Sequence, residues 1–348
     1  MYNCYGSNPT IINCVFSNNS VQRAGIGGRG GGICNRTESS PMITGCTFSG
    51  NWAKYRGGGI GNFEQCSPRI VDCTFTGNSA GEGGGAICNY SDSNPIITNC
   101  IFSGNIADSY GGAMKNYESS PLVTNCTFAD NRADRLCGGI WDEASGGMRL
   151  TNCILWGNRD DTGGGEAAQI AVDGDEVSVS YCCIEGWSGV LGGPGNFGLD
   201  PLFVDPKNGD YHLKSQGWRW DRDRNRWDYD EVTSPCIDAG NPGMLTREEP
   251  ITVPEDPDND WGVNIRIDMG AYGGTAEASM APYGWALLAD LTNDGVANLW
   301  DFAVEALKWS VMGVGVESDL DRNGVVNAAD LAKFAEDWLK FVRVQLGQ

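Results

Sequence analysis

Apolar and polar residues alternate in short runs through the first half of the chain. In one run Ile43 is apolar, Thr44 polar and Gly45 a bend residue, and Cys46 and Phe48 then alternate with Thr47 and Ser49. The run recurs. Pro9, Pro41, Pro68, Pro95 and Pro121 stand five residues before Cys14, Cys46, Cys73, Cys100 and Cys126, and Cys153 continues the series without its proline, in steps of 32, 27, 27, 26 and 27 residues. Two residues after each cysteine comes Phe16, Phe48, Phe75, Phe102, Phe128 or Leu155, and five after it Asn19, Asn51, Asn78, Asn105, Asn131 or Asn158. A second block, GGIC, GGIG, GAIC, GAMK and GGIW, leads into Asn35, Asn62, Asn89, Asn116 and Asp142. A period of two within each run is that of a half-buried strand. Short strands between bends, at about 27 residues per turn, predict stacked coils of three strands, because one such unit cannot bury its apolar face alone. The bend position holds Asn13, Gly45, Asp72, Asn99, Asn125 and Asn152, types that tolerate the left-handed geometry of a corner. Gly57 to Gly59, Gly83 to Gly85, Gly111 and Gly112 let the backbone turn tightly before the second block. The asparagine columns are expected to stack their amides.

The F-x-x-N element (FSNN, FSGN, FTGN, FSGN, FADN) together with GGGI, GGAI and GGAM resembles the repeat of chlamydial polymorphic outer membrane proteins and of bacterial secreted right-handed parallel β-helix proteins. The resemblance spans roughly residues 1 to 190. It implies an all-β right-handed parallel β-helix of pectin lyase-like fold, and it implies no activity, since adhesins, scaffolds and carbohydrate-active enzymes share that fold. A degenerate rung, VSVSYCCIEGW, keeps Val179, Cys182 and Ile184 in register. From Gly195 the stretches NFGLDPLFVDPKNGDYHL, SPCIDAGNPG and IDMGAYGGT resemble the closing segment of β-helix proteins of planctomycete-type bacteria. A solenoid exposes unpaired edges at its ends and needs a cap. The expected order is therefore solenoid over 1–194, cap over 195–275, linker over 276–286 and a last module over 287–348. Within the cap, WRWDRDRNRWDYDE reads as a charged hairpin with packed aromatics. Asn3 precedes Pro9 by the spacing of Asn35 to Pro41, so residue 1 is expected to lie inside a repeat, with upstream rungs and any export signal preceding it.

The bulk numbers narrow the partners. A net charge of -21 and a pI near 4.3 over 348 residues disfavour nucleic acid and anionic membrane surfaces, and suit cations or neutral polymers. No run of eighteen apolar residues occurs, so no membrane insertion is expected. Fourteen cysteines suggest a disulfide framework, but those at one repeat position would lie side by side with parallel Cβ vectors, which suits small buried hydrophobes better than bridges. Cys34 and Cys88 share a position two rungs apart, too far to bridge, while Cys4, Cys66, Cys137, Cys183 and Cys236 lie off the column.

The sharpest chemistry is C-terminal. Asp290, Thr292, Asp294, Gly295, Val296, Asn298 and Asp301 fall at positions 1, 3, 5, 6, 7, 9 and 12 of an EF-hand-like loop, and Asp319, Asp321, Asn323, Gly324, Val325, Asn327 and Asp330 do so again 29 residues later. Alternate positions of such a loop converge carboxylates, amides and one backbone carbonyl, here from Val296 and Val325, on a hard cation. Two Ca2+ sites are the expectation, with metal binding and folding coupled. Each loop should lead into a short helix, the second with Leu331, Phe334, Ala335, Trp338 and Leu339 on one apolar face. The duplication, with aspartate at position 12 and one helix per loop, resembles a type I dockerin over about residues 287 to 340. That implies a small all-α calcium-binding module with a cohesin-like partner. Thr292 stands where dockerins carry Asn or Asp, and Leu299, Trp300, Ala328 and Ala329 stand where many carry Ser-Thr pairs, so the partner's identity does not transfer.

Catalytic signals are thin. The single histidine, His212, lies in YHL and no G-H-G occurs, which argues against a polygalacturonase. Asp160-Asp161 reads as a solvated turn, and Lys54, Arg132 and Arg135 fall in exposed variable bridges. No three carboxylates facing an arginine, the arrangement a calcium-assisted lyase requires, assemble from the repeat positions. The expected function is a secreted, non-catalytic β-helix that binds a glycan, adheres or acts as a spacer, anchored through its dockerin-like module. The alternative is a polysaccharide lyase or glycoside hydrolase, an association dockerins suggest.

Overall fold

The computed structural model describes residues 1–22, 28–144, 147–174, 177–246, 248–250 and 264–341. Residues 251–263 of the expected cap and 342–348 of the expected last module lie outside them. Two bodies are distinguished, one of residues 1–178 with 184–191, the other of 179–183 with 192 onward.

The first body is a parallel β-solenoid. Sheet A comprises Tyr2–Asn3, Ile33–Arg36, Ile60–Phe63, Ile87–Tyr90, Met114–Tyr117, Ile140–Glu143 and Ile170–Asp173. Sheet B includes Thr10–Ile12, Met42–Thr44, Arg69–Val71, Ile96–Thr98, Leu122–Thr124 and Arg149–Thr151, and sheet C includes Val15–Ser17, Thr47–Ser49, Thr74–Thr76, Ile101–Ser103, Thr127–Ala129 and Ile154–Trp156. Register is exact in repeat terms: Ile43 pairs with Ile70, Ile70 with Ile97 and Ile97 with Val123. The corner residues between sheets B and C are left-handed, from φ 50° at Asn125 to 62° at Gly45.

A fourth sheet was not expected. Ser20–Val21, Trp52–Ala53, Ser79–Ala80, Ile106–Ala107 and Arg132–Ala133 pair in parallel. Each strand has only two residues, too short for alternation to register as a period. Its sequence trace is an alanine two residues after the ladder asparagine, at Ala53, Ala80, Ala107 and Ala133, each buried.

The interior consists of columns. Phe16, Phe48, Phe75, Phe102 and Phe128 stack with centroids 4.9, 4.7, 4.9 and 4.5 Å apart, close to the spacing of adjacent strands. Along the cysteine column the backbone N–H of Cys46 points at Cys73 Sγ, that of Cys73 at Cys100 Sγ and that of Cys100 at Cys126 Sγ, each at 3.4 Å. All fourteen cysteines are free thiols. The amides form ladders: Asn51, Asn78 and Asn105 each donate from Nδ2 to the next Oδ1 at 2.9 Å, and Asn131 donates to Asn158 at 2.8 Å. Asn35, Asn62 and Asn89 do likewise toward Asn116 at 2.8 to 2.9 Å. Gln169, at the end of the one-turn helix α1 (Glu166–Gln169), takes over as acceptor for Asn158 at 2.6 Å.

The second body opens with two hairpins, Phe203–Asp205 with Asp210–Leu213 and Arg219–Asp221 with Arg226–Asp228. The latter is the expected charged hairpin, with Trp220 and Trp227 edge to face at 5.8 Å. Residues 276–286, whose small side chains suggested a linker, are packed instead: Ala278, Ser279, Met280 and Ala281 are buried. Ser279 Oγ donates to the Leu213 carbonyl at 2.7 Å and the Met280 N–H to that of Trp218 at 2.8 Å. Small residues here fill interior space. Two further helices follow, α2 (Leu299–Leu307) and α3 (Ala328–Asp337). No helix of the described residues is long and apolar enough to cross a membrane.

Candidate cation sites and an aromatic face

The twelve-residue spacing folds each acidic loop back on itself. In the first, Asp290 accepts the N–H groups of Asp294 at 3.1 Å and Gly295 at 2.9 Å, and Asp301 accepts those of Thr292 and Asn298 at 2.8 Å each. In the second, Asp319 accepts from Asn323 at 3.0 Å and Gly324 at 2.8 Å, and Asp330 from Asp321 at 3.0 Å and Asn327 at 2.8 Å. Gly295 and Gly324 sit at φ 90° and 91°, a region a side chain resists. Asn298 and Asn327 cap α2 and α3 in capping boxes closed by Asp301 and Asp330.

Carboxylate oxygens of Asp290, Asp294 and Asp301 lie within 4.8 Å of one another, as do those of Asp319, Asp321 and Asp330. Of the remaining expected ligands, the Thr292 hydroxyl donates to Asp301 at 2.9 Å, Asn323 Oδ1 accepts from Val325 N–H at 2.9 Å, and the Val296 and Val325 carbonyls accept from Asn298 and Asn327 at 3.0 and 2.7 Å. Burial, then the charge of Asp301, pushes Asp290 up to about 6 against the pull of Arg266, and burial raises Asp319. Three carboxylates this close repel, a cost a divalent cation would remove.

The loops are fastened to the rest of their body. Arg266, fully buried, donates to the carbonyls of Asp290 at 2.8 Å and Gly240 at 2.7 Å. At loop position 4, Asn293 donates to the carbonyls of Gly195 and Ala239 at 2.8 Å, and Arg322 to that of Ile265 at 2.7 Å. The expected apolar face of the second helix is mostly open: Phe334 is buried among Ala289, Leu291, Ala297 and Leu320, whereas Leu331, Trp338 and Leu339 are exposed, the last two beyond the end of α3. Leu299 and Trp300 are exposed as well. Glu305 of α2 has the opposite character. It is 1% exposed, neither carboxylate oxygen has a hydrogen-bond partner among the described residues, and burial followed by Asp330's charge pushes it up to about 7.

Sheet A carries a second feature, missed in the sequence. The positions that point away from the solenoid core run Cys34, Gly61, Cys88, Lys115, Trp141 and, two residues on, Arg36, Phe63, Tyr90, Tyr117, Glu143; Cys34, Phe63, Cys88 and Lys115 are buried among their neighbours, and Tyr90, Tyr117 and Trp141 are half-buried. Arg29 lies over Phe63 at 4.8 Å, Arg56 over Tyr90 at 4.6 Å and Lys115 over Tyr110 at 4.8 Å. Tyr90 stacks on Tyr117 at 4.6 Å and Tyr110 on Trp141 at 5.3 Å. Three cations of this face meet a carboxylate of a later rung: Arg36 with Glu64 at 2.9 Å, Arg56 with Glu82 at 2.8 Å, Lys115 with Glu143 at 3.0 Å. The bond from Arg36 holds Glu64 below the usual carboxylate range, and Lys115 does so for Glu143 against the cost of burial. Gly61 makes room here, since a Cβ there would sit 2.5 Å from the Phe63 ring. The signal was available: Phe63, Tyr90 and Tyr117 each directly follow a ladder asparagine. Lys54, Arg132 and Arg135 are exposed as expected, and Asp160 closes its turn by accepting from Thr162 N–H at 2.9 Å.

The family described as right handed beta helix region matches residues 1–107 and 58–195, and the family described as disaggregatase related matches residues 183–240. No curated protein and no solved structure matches the chain. Matched over residues 1–195 of 348, with the in-register parallel sheets to go with it, the chain belongs to the right-handed β-helix family.

Proposed function

We propose that this is an exported, non-catalytic β-helix protein that binds an extended polysaccharide along the outer face of sheet A. A calcium-dependent dockerin-like module holds it to a cohesin-bearing assembly or cell surface. The half-buried row of Arg56, Tyr90, Tyr110, Tyr117 and Trp141 carries the reading. Aromatic faces pack on the C–H faces of sugars, and guanidinium and carboxylate groups bond to hydroxyls. The rings repeat once per rung, a distance of the order of one hexose unit. In the module, Asp290, Thr292, Asp294, Val296, Asn298 and Asp301 would hold one Ca2+, and Asp319, Asp321, Asn323, Val325, Asn327 and Asp330 the other. The bound ion would neutralise each carboxylate group and fix the loop. The open Leu299 and Trp300 on α2 supply an apolar contact for a protein partner.

The test is affinity electrophoresis of the full chain against a panel of plant and algal polysaccharides, with Tyr117→Ala and Trp141→Ala as controls. Retardation by at least one polymer, lost in the double variant, is expected; migration unaffected by every polymer would sink the binding reading. A second reading, a polysaccharide lyase or glycoside hydrolase, draws on Arg56, Lys115 and Glu143 sharing that face. Release of unsaturated or reducing ends from the same panel would replace binding by turnover.

A further inference from the structure

α2 and α3 are copies displaced by 29 residues, and Glu305 of α2 stands where α3 has Phe334. Each lies four residues past the last aspartate of its own loop. Phe334 fills an apolar core. Glu305 is equally buried, yet among the described residues neither of its oxygens has a hydrogen-bond partner, a costly arrangement unless a positive charge lies close. α2 ends against the second loop, where the Ser310 N–H donates to the Val326 carbonyl at 2.9 Å, and among the described residues the charged group acting on Glu305 is Asp330, another anion that closes that loop. A buried carboxylate set against a carboxylate cluster asks for a cation at that cluster.

We propose that Glu305 is the outer anion of the second cation site. It adds to that site a charge the first lacks, and so ranks the two loops, with the second filling first. The inference rests on the calcium reading above. Thr292 and Asp294 of the first loop stand where the second has Asp321 and Asn323, so each loop brings three carboxylates and Glu305 alone supplies the difference in charge on which affinity depends. Glu305 is a positioning residue in this scheme: it acts on the ion through the field and through Asp330 and need not touch the ion.

Calorimetric titration of the full chain with calcium tests it, using wild type, Glu305→Gln and Asp319→Ala. Wild type should bind two ions with unequal affinity, and Asp319→Ala should abolish the tighter class. Glu305→Gln should weaken that class about tenfold, leave the other within about twofold, and melt at higher temperature than wild type in chelator, because a buried charge is gone. Glu305→Leu, which suits an apolar surround, should repeat both effects. An unchanged tighter affinity in both variants, or weakening of the looser class instead, overturns the proposal while the calcium reading stands. Absence of any calcium uptake by wild type overturns both.

Discussion

At the level of single residues, the solenoid is specified by side chains that serve as backbone. Asn78 accepts the Asn51 N–H and Nδ2–H and donates to Asn105 and to the Phe48 carbonyl. Asn78→Ala leaves several of these groups buried and unpaired, so it should lower unfolding free energy by about 2–4 kcal/mol in denaturant titration. Asp in its place can still accept from Asn51 but cannot donate to Asn105 or the Phe48 carbonyl, so it should cost at least as much. His212 offers a pH-dependent counterpart in the second body. Its ring is wholly buried, with Nδ1 2.6 Å from Asp210 and Nε2 3.3 Å from Glu277, and it stacks on Tyr272. Burial favours the neutral ring, but the bonds to Asp210 and Glu277 outweigh it and raise His212 above its ordinary 6.5. Those carboxylates are lowered from 3.8 and 4.5, and Arg219 and Arg222 act on them as well. The imidazolium's stabilisation is therefore complete below pH 6.5 and lost as pH rises through the raised value; that of the carboxylates is lost in acid. The melting difference between wild type and His212→Gln should be largest between about pH 5 and 6.5 and shrink on both sides; a flat difference would refute the imidazolium clamp.

At the level of elements, what recurs in the text was legible and what occurs once was not. The spacing of Cys46, Phe48 and Asn51 gave sheets B and C, their corner and one amide ladder, and the glycine block before Asn35 and Asn62 gave the other, because identical neighbours must stack for the pattern to repeat. The two-residue fourth sheet escaped for want of length. The outer row of sheet A escaped because its members differ chemically: arginine, phenylalanine, tyrosine and glutamate share a place in the rung but no composition. The acidic loops were legible to the residue, since cation geometry fixes their spacing, while Glu305 was invisible until α2 and α3 were superposed by their 29-residue shift. Packing also explains the glycines. A Cβ at Gly58 would lie 2.3 Å from the Gly85 carbonyl oxygen and 2.4 Å from that of Ser79. Gly58→Ala should thus push two rungs apart and destabilise by about 1–3 kcal/mol or more, as overpacking does, whereas Gly77→Ala, which meets nothing within 4 Å, should cost about 1 kcal/mol through its left-handed backbone alone.

For the whole molecule, stability is expected to divide. The rungs hold themselves by columns running along the solenoid, while the loops at Asp290 and Asp319 share hydrogen bonds with the closing segment through Arg266, Asn293 and Arg322. Asp319→Ala with Asp330→Ala should lower the melting temperature of the calcium-loaded second body and leave the β signal of the rungs in circular dichroism intact; a single, unshifted transition would argue against cation-dependent folding there. The free thiols lend the solenoid one more property. Cys14 is open to solvent, whereas Cys46, Cys73, Cys100, Cys126 and Cys153 are closed, one per rung and none bridged. A thiol reagent applied during a pulse of denaturant or pulling force would label these cysteines only as their rungs open. Sorting labelled from unlabelled positions would then show at which end the coil begins to peel and how far it has gone, in increments of about 4.8 Å, so the cysteine column is a graduated scale written along the axis of the molecule.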